Sequence, residues 1–156
     1  MTAQDINKIF REKGRTLGCC ESFTGGTFAS EITSIPGASH FFKGGFVTYF
    51  TEEKARILGI SYNLIDEHGV VSQEIAAEMA GHAQKLLNVD YCVSFTGNAG
   101  PEAMEGKPVG DVYIGISVYQ QINVYHYRFN GDRKKIQRQA IDAAYELLAQ
   151  LIDQFK

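Results

Sequence analysis

Ser22, Tyr49 and Lys54 are the side chains in this 156-residue sequence whose types could combine for nucleophilic chemistry. A serine hydroxyl becomes reactive when a neighbouring base takes its proton. A lysine amine can be that base if burial or a helix N-terminus keeps it neutral. Ser22 lies in Cys19-Cys20-Glu21-Ser22-Phe23-Thr24-Gly25-Gly26, between an apolar run and a helical pattern. A strand turning sharply into a helix brings backbone N–H groups to one point, where an anion or oxyanion binds. Gly25 and Gly26 remove the side chains that would block a close approach. Each residue also has a plainer reading. Ser22 or Thr24 would cap the helix, Lys54 would be a solvated residue beside Glu52 and Glu53, and Tyr49 would be a packed strand aromatic. Local sequence on its own favours those plainer readings.

The elements that must position these groups follow from periodicity. Thr2 to Lys13 reads as a helix capped by Thr2 and stopped by Gly14. Leu17 to Glu21 reads as the first strand, Gly25 to Ile35 as a helix, and Ala38 to Gly45 as a loop rich in Phe and Gly. Phe46 to Phe50 is β-branched and aromatic, a predicted strand. Thr51 opens a helix ended by Gly59, and Ser61 to Glu67 a short helix closed by Gly69. Ser72 caps a longer helix with an apolar stripe of Ile75, Met79, Ala83, Leu86 and Leu87. Tyr91 to Phe95 reads as a strand covered on both faces. A loop follows at Thr96-Gly97-Asn98-Ala99-Gly100-Pro101. Val112 to Val118 and Ile122 to Phe129 read as antiparallel partners. The last helix, opened by Gly131-Asp132-Arg133, buries Ile136, Ala140, Ala144, Leu147, Leu148, Leu151 and Phe155. The pattern predicts a three-layer α/β/α sandwich around a mixed, mostly parallel sheet, as one domain over 1–156. If the strands before Ser22, Lys54 and Asn98 are parallel, their loops share one sheet edge, where ligands of open α/β sheets collect.

Composition narrows the function classes. The hydrophobic fraction of 44% and charged fraction of 21% are those of a globular chain, and a net charge of -3 argues against nucleic acid as a partner. The four histidines have no ligand spacing and the three cysteines form no C-x-x-C, so no metal is expected. Cys19 and Cys20 would face opposite sides of a strand, as buried thiols rather than a disulfide. The N-terminus is too polar for a signal peptide and no apolar run would span a bilayer, which gives a cytoplasmic expectation. Gly100 to Lys107 imitates a P-loop but has five residues between the glycines, and Pro108 stands where Ser or Thr is required. Arg133 begins a basic helix start that reads as a solvated face or as a phosphate contact.

Taken together, six pieces resemble one family. Glu21-Ser22-Phe23-Thr24-Gly25-Gly26 is similar to E-S-x-T-G-G, and Ile35-Pro36-Gly37-Ala38-Ser39 to I-P-G-[AS]-S. Gly44-Gly45-Phe46-Val47-Thr48-Tyr49 with Lys54 is similar to G-G-x-V-x-Y-x-x-x-x-K. His68-Gly69-Val70-Val71-Ser72, Thr96-Gly97-Asn98-Ala99-Gly100-Pro101, and Lys107-Pro108-Val109-Gly110 with Gly131-Asp132-Arg133 complete the order. The family is the CinA C-terminal domain, the nicotinamide-nucleotide amidases of PncC type, whose larger members carry a further N-terminal domain not present in this sequence.

The resemblance implies hydrolysis of nicotinamide mononucleotide to nicotinate mononucleotide and ammonia, with no cofactor and no metal. It implies Ser22 as nucleophile with Tyr49 and Lys54 as activating partners, and in that context the functional reading of all three outranks the plainer one. Substrate contacts are assigned to Thr24, Gly25, Gly26, Gly45, Thr96, Gly97, Asn98, Gly100 and Arg133, with the Thr24–Gly26 turn holding the oxyanion. It also implies a homo-oligomer, for which exposed Phe41 and Phe42 would suit an interface, and no membrane partner. Two positions depart from the pattern. Phe23 stands where many members have Cys, a bulky group expected to reshape the pocket. Asn98 stands where many have Ile, a polar group for the substrate or for the loop backbone. The alternatives are a non-catalytic interaction module of the same fold, or an amidase for another small amide.

Overall fold

The computed structural model describes residues 1–155, and a five-stranded sheet organises them. The strands are β1 (Leu17–Glu21), β2 (Phe42–Val47), β3 (Tyr91–Gly97), β4 (Asp111–Val118) and β5 (Gln121–Arg128). Their order is β2-β1-β3-β4-β5. β1 pairs in parallel with both β2 and β3, while β3–β4 and β4–β5 are antiparallel. The helices are α1 (Ala3–Lys13), α2 (Thr27–Thr33), α3 (Thr51–Arg56), α4 (Tyr62–His68), α5 (Gln73–Leu87) and α6 (Arg133–Gln154). The fold is the expected α/β/α arrangement around a mixed sheet.

Alternation along each strand sends side chains to two separate cores. Leu17 and Cys19 of β1, with Tyr91, Val93 and Phe95 of β3, join α1, α2 and α6 on one face. Cys20 and Cys92 point the other way, under α5 and the segments around α4. The adjacent thiols of Cys19 and Cys20 therefore lie on opposite sides of the sheet, and both are free and buried. α1 is closed by the expected Thr2 cap, which forms a capping box with Asp5, and by Gly14 in the left-handed conformation.

Three expectations are corrected. The second strand is not Phe46–Phe50 but Phe42–Val47. Gly44 and Gly45, which read as loop residues, are strand residues because β2 packs close against β1. A Cβ on Gly45 would lie 2.4 Å from Cys19 Sγ. Thr48 closes the ladder by donating its N–H to Glu21 O at 2.9 Å. Tyr49 and Phe50 consequently fall in a loop, 60% and 61% exposed. In α5 the buried arc is centred on Ala76, Ala80 and Ala83 and runs from Ile75 to Gln84, so Leu86 lies at its rim and is exposed. Phe41 is not a surface aromatic. It is buried against Phe10, ring centroids 5.6 Å apart, and Phe42 is half-buried. The exposed apolar residues include Val47, Tyr49, Phe50, Ile57 and Tyr62. Among the described residues no helix is long and apolar enough to cross a membrane.

Candidate functional site

Because β1, β2 and β3 run parallel in register, with Glu21 opposite both Val47 and Phe95, their carboxyl ends share one edge. The Ser22 turn, the Thr48–Phe50 loop and the segment after Gly97 therefore emerge side by side, where helices feed fixed dipoles and loops supply side chains.

Ser22 is held at the end of β1 by its N–H, which donates to Phe95 O at 3.0 Å. The chain then turns through Gly25 and Gly26, at φ 61° and 100°, a conformation that a Cβ disfavours. Neither Ser22 nor Thr24 caps α2. Gly26 occupies the N-cap and supplies no side chain, and the second and third N–H groups of the helix are taken by Glu21. The Glu21 carboxylate, fully buried, accepts from Phe28 N and Ala29 N at 3.0 Å each. A buried anion at a helix start is stabilised by charge-assisted bonds to the orphan amides. It also frees the Ser22 hydroxyl from structural duty. Gly25 N donates to Ser22 O at 3.0 Å and Thr27 N to Thr24 O at 3.0 Å, while the N–H groups of Phe23, Thr24 and Gly26 have no acceptor among the described residues. The Thr24 hydroxyl is buried and likewise without a partner there.

Lys54 comes from α3, in the fourth helical position, and its side chain is fully buried although Glu52 and Glu53 beside it face outward. Its Nζ lies 3.0 Å from Ser22 Oγ and donates to Thr48 O at 2.6 Å. Burial lowers the Lys54 pKa to about 8, against smaller opposing effects of the nearby Cys20 thiol and the Glu105 carboxylate. Cys20 is itself pushed up to about 11 by burial, so at neutral pH it is a neutral neighbour. The result is a serine hydroxyl at hydrogen-bond distance from an amine of which about a tenth is neutral at pH 7. That arrangement can deprotonate the hydroxyl as it attacks an electrophilic carbon.

The other expected site residues divide sharply. Tyr49 is exposed and has no hydrogen bond to Ser22 or Lys54 among the described residues. Thr96 is buried and its hydroxyl donates to Val70 O at 2.6 Å. Asn98, also buried, organises its own loop: its carbonyl accepts from Gly100 N at 3.0 Å and its amide donates to Lys107 O at 3.2 Å. Gly97 and Gly100 are packed closely, since a Cβ would meet Asp111 O at 2.9 Å and Val109 Cγ1 at 2.7 Å. Gly45 serves strand pairing, as described above. Arg133 donates to Gly100 O at 2.7 Å, tying the start of α6 to the same loop. Phe23 is 4% exposed and belongs to the core on the α6 side.

Three contributors escaped the sequence reading. Glu21 is adjacent to Ser22 in the motif, and its seven-residue offset from Phe28 hides its capping role. Gln137 donates to Phe23 O at 2.7 Å. It sits one helical turn after Arg133, so α6 clasps the Ser22 turn and the Gly100 loop with neighbouring side chains, a spacing visible in the sequence. Thr48 acts through its carbonyl, which no side-chain pattern reveals. A cleft of about 1010 Å³ elsewhere, lined by Asn7, Phe10, Arg11, Pro36 and His40 among others, contains none of the candidate residues.

Fold and site together define an α/β/α domain with a serine–lysine couple at the carboxyl edge of its parallel strands. The chain belongs to the family described as the CinA C-terminal domain, whose model matches residues 1–152. It is 42% identical over 149 residues to a competence-damage inducible protein of Listeria innocua, covering 95% of this chain and 36% of that one. The counterpart from Bacillus subtilis is 41% identical over 151 residues, covering 97% and 36%. The chain thus spans about a third of the length of these relatives. Among solved structures it resembles the competence damage-inducible protein A from Klebsiella pneumoniae, with TM-score 0.96, 25% identity and 99% and 96% of the two chains covered. A CinA superfamily protein from Escherichia coli superposes with TM-score 0.92, 30% identity and 96% and 87% coverage.

Proposed function

We propose that this chain is a nicotinamide-nucleotide amidase, converting nicotinamide mononucleotide and water to nicotinate mononucleotide and ammonia through Ser22. The observation that carries the reading is the 3.0 Å separation of Ser22 Oγ from Lys54 Nζ, with the lysine fully buried. When the amine is neutral it accepts the Ser22 proton while one of its own N–H groups stays on Thr48 O. Ser22 Oγ adds to the carboxamide carbon, and the oxyanion is met by free N–H groups of the Phe23–Gly26 turn. Gly25 is not one of those donors, because its N–H is already committed to Ser22 O. Collapse expels the amide nitrogen, protonated by the Lys54 ammonium, as ammonia. Water, deprotonated by the regenerated amine, then cleaves the acyl-serine and releases the carboxylate. Tyr49, exposed in the loop after Thr48, is read as a substrate-contacting phenol. Thr24 and Gly26 line the oxyanion side, and Arg133 with the Gly97–Gly100 loop is read as the wall for ribose and phosphate. The protein would act as a cytoplasmic homo-oligomer.

The test is ammonia release from nicotinamide mononucleotide by the pure chain and by Ser22→Ala. Turnover by the first and none by the second is expected; no turnover by either overturns the reading. Arg133 already donates to Gly100 O, which favours a second possibility, an amidase for an amide without phosphate. Rates on nicotinamide riboside and free nicotinamide measured beside the nucleotide separate the two.

A further inference from the structure

The bonds that hold the peptides of the Ser22 turn decide where its free N–H groups point. Backbone atoms pin three of these peptides. Thr48 N donates to Glu21 O at 2.9 Å and Ser22 N to Phe95 O at 3.0 Å, which fixes the Glu21–Ser22 peptide. Gly25 N donates to Ser22 O and Thr27 N to Thr24 O, both at 3.0 Å, which fixes the Ser22–Phe23 and Thr24–Gly25 peptides. The Phe23–Thr24 peptide has no backbone bond among the described residues. Its carbonyl is held instead by the side-chain amide of Gln137 on α6, at 2.7 Å.

The direction of that hold matters. α6 packs on the face of the sheet that takes Phe23, together with Leu17, Cys19 and Val93. The serine–lysine couple lies toward the opposite face. Lys54 Nζ reaches Ser22 Oγ and Thr48 O, and the Thr48 hydroxyl meets the thiol of Cys20, which belongs to the core under α5. A peptide is planar and trans, so its C=O and N–H point in opposite directions. With Phe23 O drawn to α6, Thr24 N–H is turned away from α6, toward the face of Ser22 and Lys54. That N–H has no acceptor among the described residues, and neither has the buried Thr24 hydroxyl.

We infer that Gln137 is a positioning residue of the Ser22 site: by holding Phe23 O on the α6 side, it aims Thr24 N–H at the oxyanion formed when Ser22 adds to a carbonyl carbon. The inference rests on Ser22 as nucleophile. An oxyanion donor is effective when its direction is fixed before the charge appears. Without the Gln137 amide, the Phe23–Thr24 peptide can rotate between its pinned neighbours and the donor loses its aim. Gln137 makes no hydrogen bond to Ser22 or Lys54 among the described residues, so its replacement leaves the base as it was.

The experiment compares the full chain with Gln137→Met and Gln137→Glu. Methionine keeps the length and the helix propensity but has no donor, and glutamate sets an acceptor against Phe23 O. Two reactions are followed. In the first, an alkyl fluorophosphonate labels Ser22: Oγ bonds to phosphorus, fluoride leaves, the serine proton passes to Lys54, and the phosphoryl oxygen needs the same donors. The second is ammonia release from nicotinamide mononucleotide across pH. Both rates are expected to fall about ten- to a hundredfold in both variants, with KM within about twofold and the pH midpoint unchanged. Where only one of the two reactions runs, its ratio decides. Rates within about threefold of wild type overturn the inference. So does a shifted pH midpoint, which shows that the Lys54 amine was disturbed and not the donor alone, and so does a wild type inert in both reactions. If wild type is labelled at Ser22, and more slowly in both variants, but leaves nicotinamide mononucleotide intact, the amidase reading fails and this inference stands.

Discussion

The Nζ of Lys54 lies 2.6 Å from the carbonyl oxygen of Thr48, six residues earlier in the chain and just past the end of β2. This bond brings the lysine back over the sheet edge instead of letting it extend from α3 into solvent. It gives the buried amine one fixed acceptor and leaves Ser22 Oγ as its second neighbour. An isolated buried ammonium is expensive, and the protein lowers the expense by weakening the amine's hold on its proton. A base of pKa about 8 is the chemical product of that geometry.

The first prediction concerns pH and rate. If Lys54 must be neutral for attack, kcat/KM on nicotinamide mononucleotide rises with pH and levels off above a midpoint near 8, the value set by burial of the amine. At pH 7 about a tenth of the molecules carry the neutral amine. A pH–rate series from 6 to about 10 checks this; a profile already flat at pH 7 would exclude the amine as base.

The second prediction separates function from stability. The Lys54 pKa falls from 10.5 unfolded to about 8 folded, so between those values the unfolded chain binds more protons. Stability therefore rises as pH climbs from about 8 to 10.5, and below 8 the folded state carries the full burden of the buried charge. At 1.36 kcal/mol per pKa unit that burden is about 3 kcal/mol. Lys54→Met should be inactive, and at pH 7 about 1–2 kcal/mol more stable, since an apolar chain of similar length fills the space but leaves Thr48 O unpaired. Urea melts at pH 7 and 10 decide it: wild type should gain on Lys54→Met at the higher pH.

Sequence patterning carried the order of elements and the parallel core of the sheet, because β1 and β3 are short apolar runs and α6 keeps a clean helical period. It misplaced β2 for a physical reason. Gly44 and Gly45 are poor strand formers by propensity; contact with Cys19 requires the second, and the first stands at φ 143°. The error carried Tyr49 with it, from a packed strand position to an exposed loop. At the site, Ser22 and Lys54 were legible from the family pattern, and their mutual distance follows from parallel pairing of β1 and β2. Thr96 and Gly97 were legible as important but not as structural, because a hydroxyl bonded to a backbone carbonyl and a close backbone approach leave no signature in residue type. For Asn98 the sequence left substrate and loop backbone both open, and the side chain makes the loop bonds.

Glu21 supports the third prediction. It is fully buried, and its carboxylate is the acceptor for two N–H groups at the start of α2. Replacing it with alanine removes both charge-assisted bonds and leaves one buried and one half-buried donor, a loss of about 3 kcal/mol. Glu21→Gln retains one acceptor but aims its amide at the other N–H, so about 2 kcal/mol is expected. Because the Ser22 turn is fixed between Glu21 and α2, kcat should fall in both variants, more in alanine. Chemical denaturation and ammonia release on the same preparations test this. Unchanged stability in Glu21→Ala would show that α2 holds its first turn without the carboxylate.

Tyr49 gives the sharpest division between two versions of the chemistry. A phenol acting as proton relay must join the hydrogen-bonded chain between Ser22 and Lys54, yet those two groups already meet at 3.0 Å and Tyr49 is 60% exposed. A direct couple needs no intermediary, so the ring's use is contact with substrate, where an aromatic face contributes by packing. Tyr49→Phe should then retain kcat/KM within about tenfold of wild type, whereas Tyr49→Ala should raise KM more strongly by removing the ring. If Tyr49→Phe instead reduces kcat as severely as Ser22→Ala, the phenol proton is part of the reaction and the loop must close onto the couple before chemistry begins.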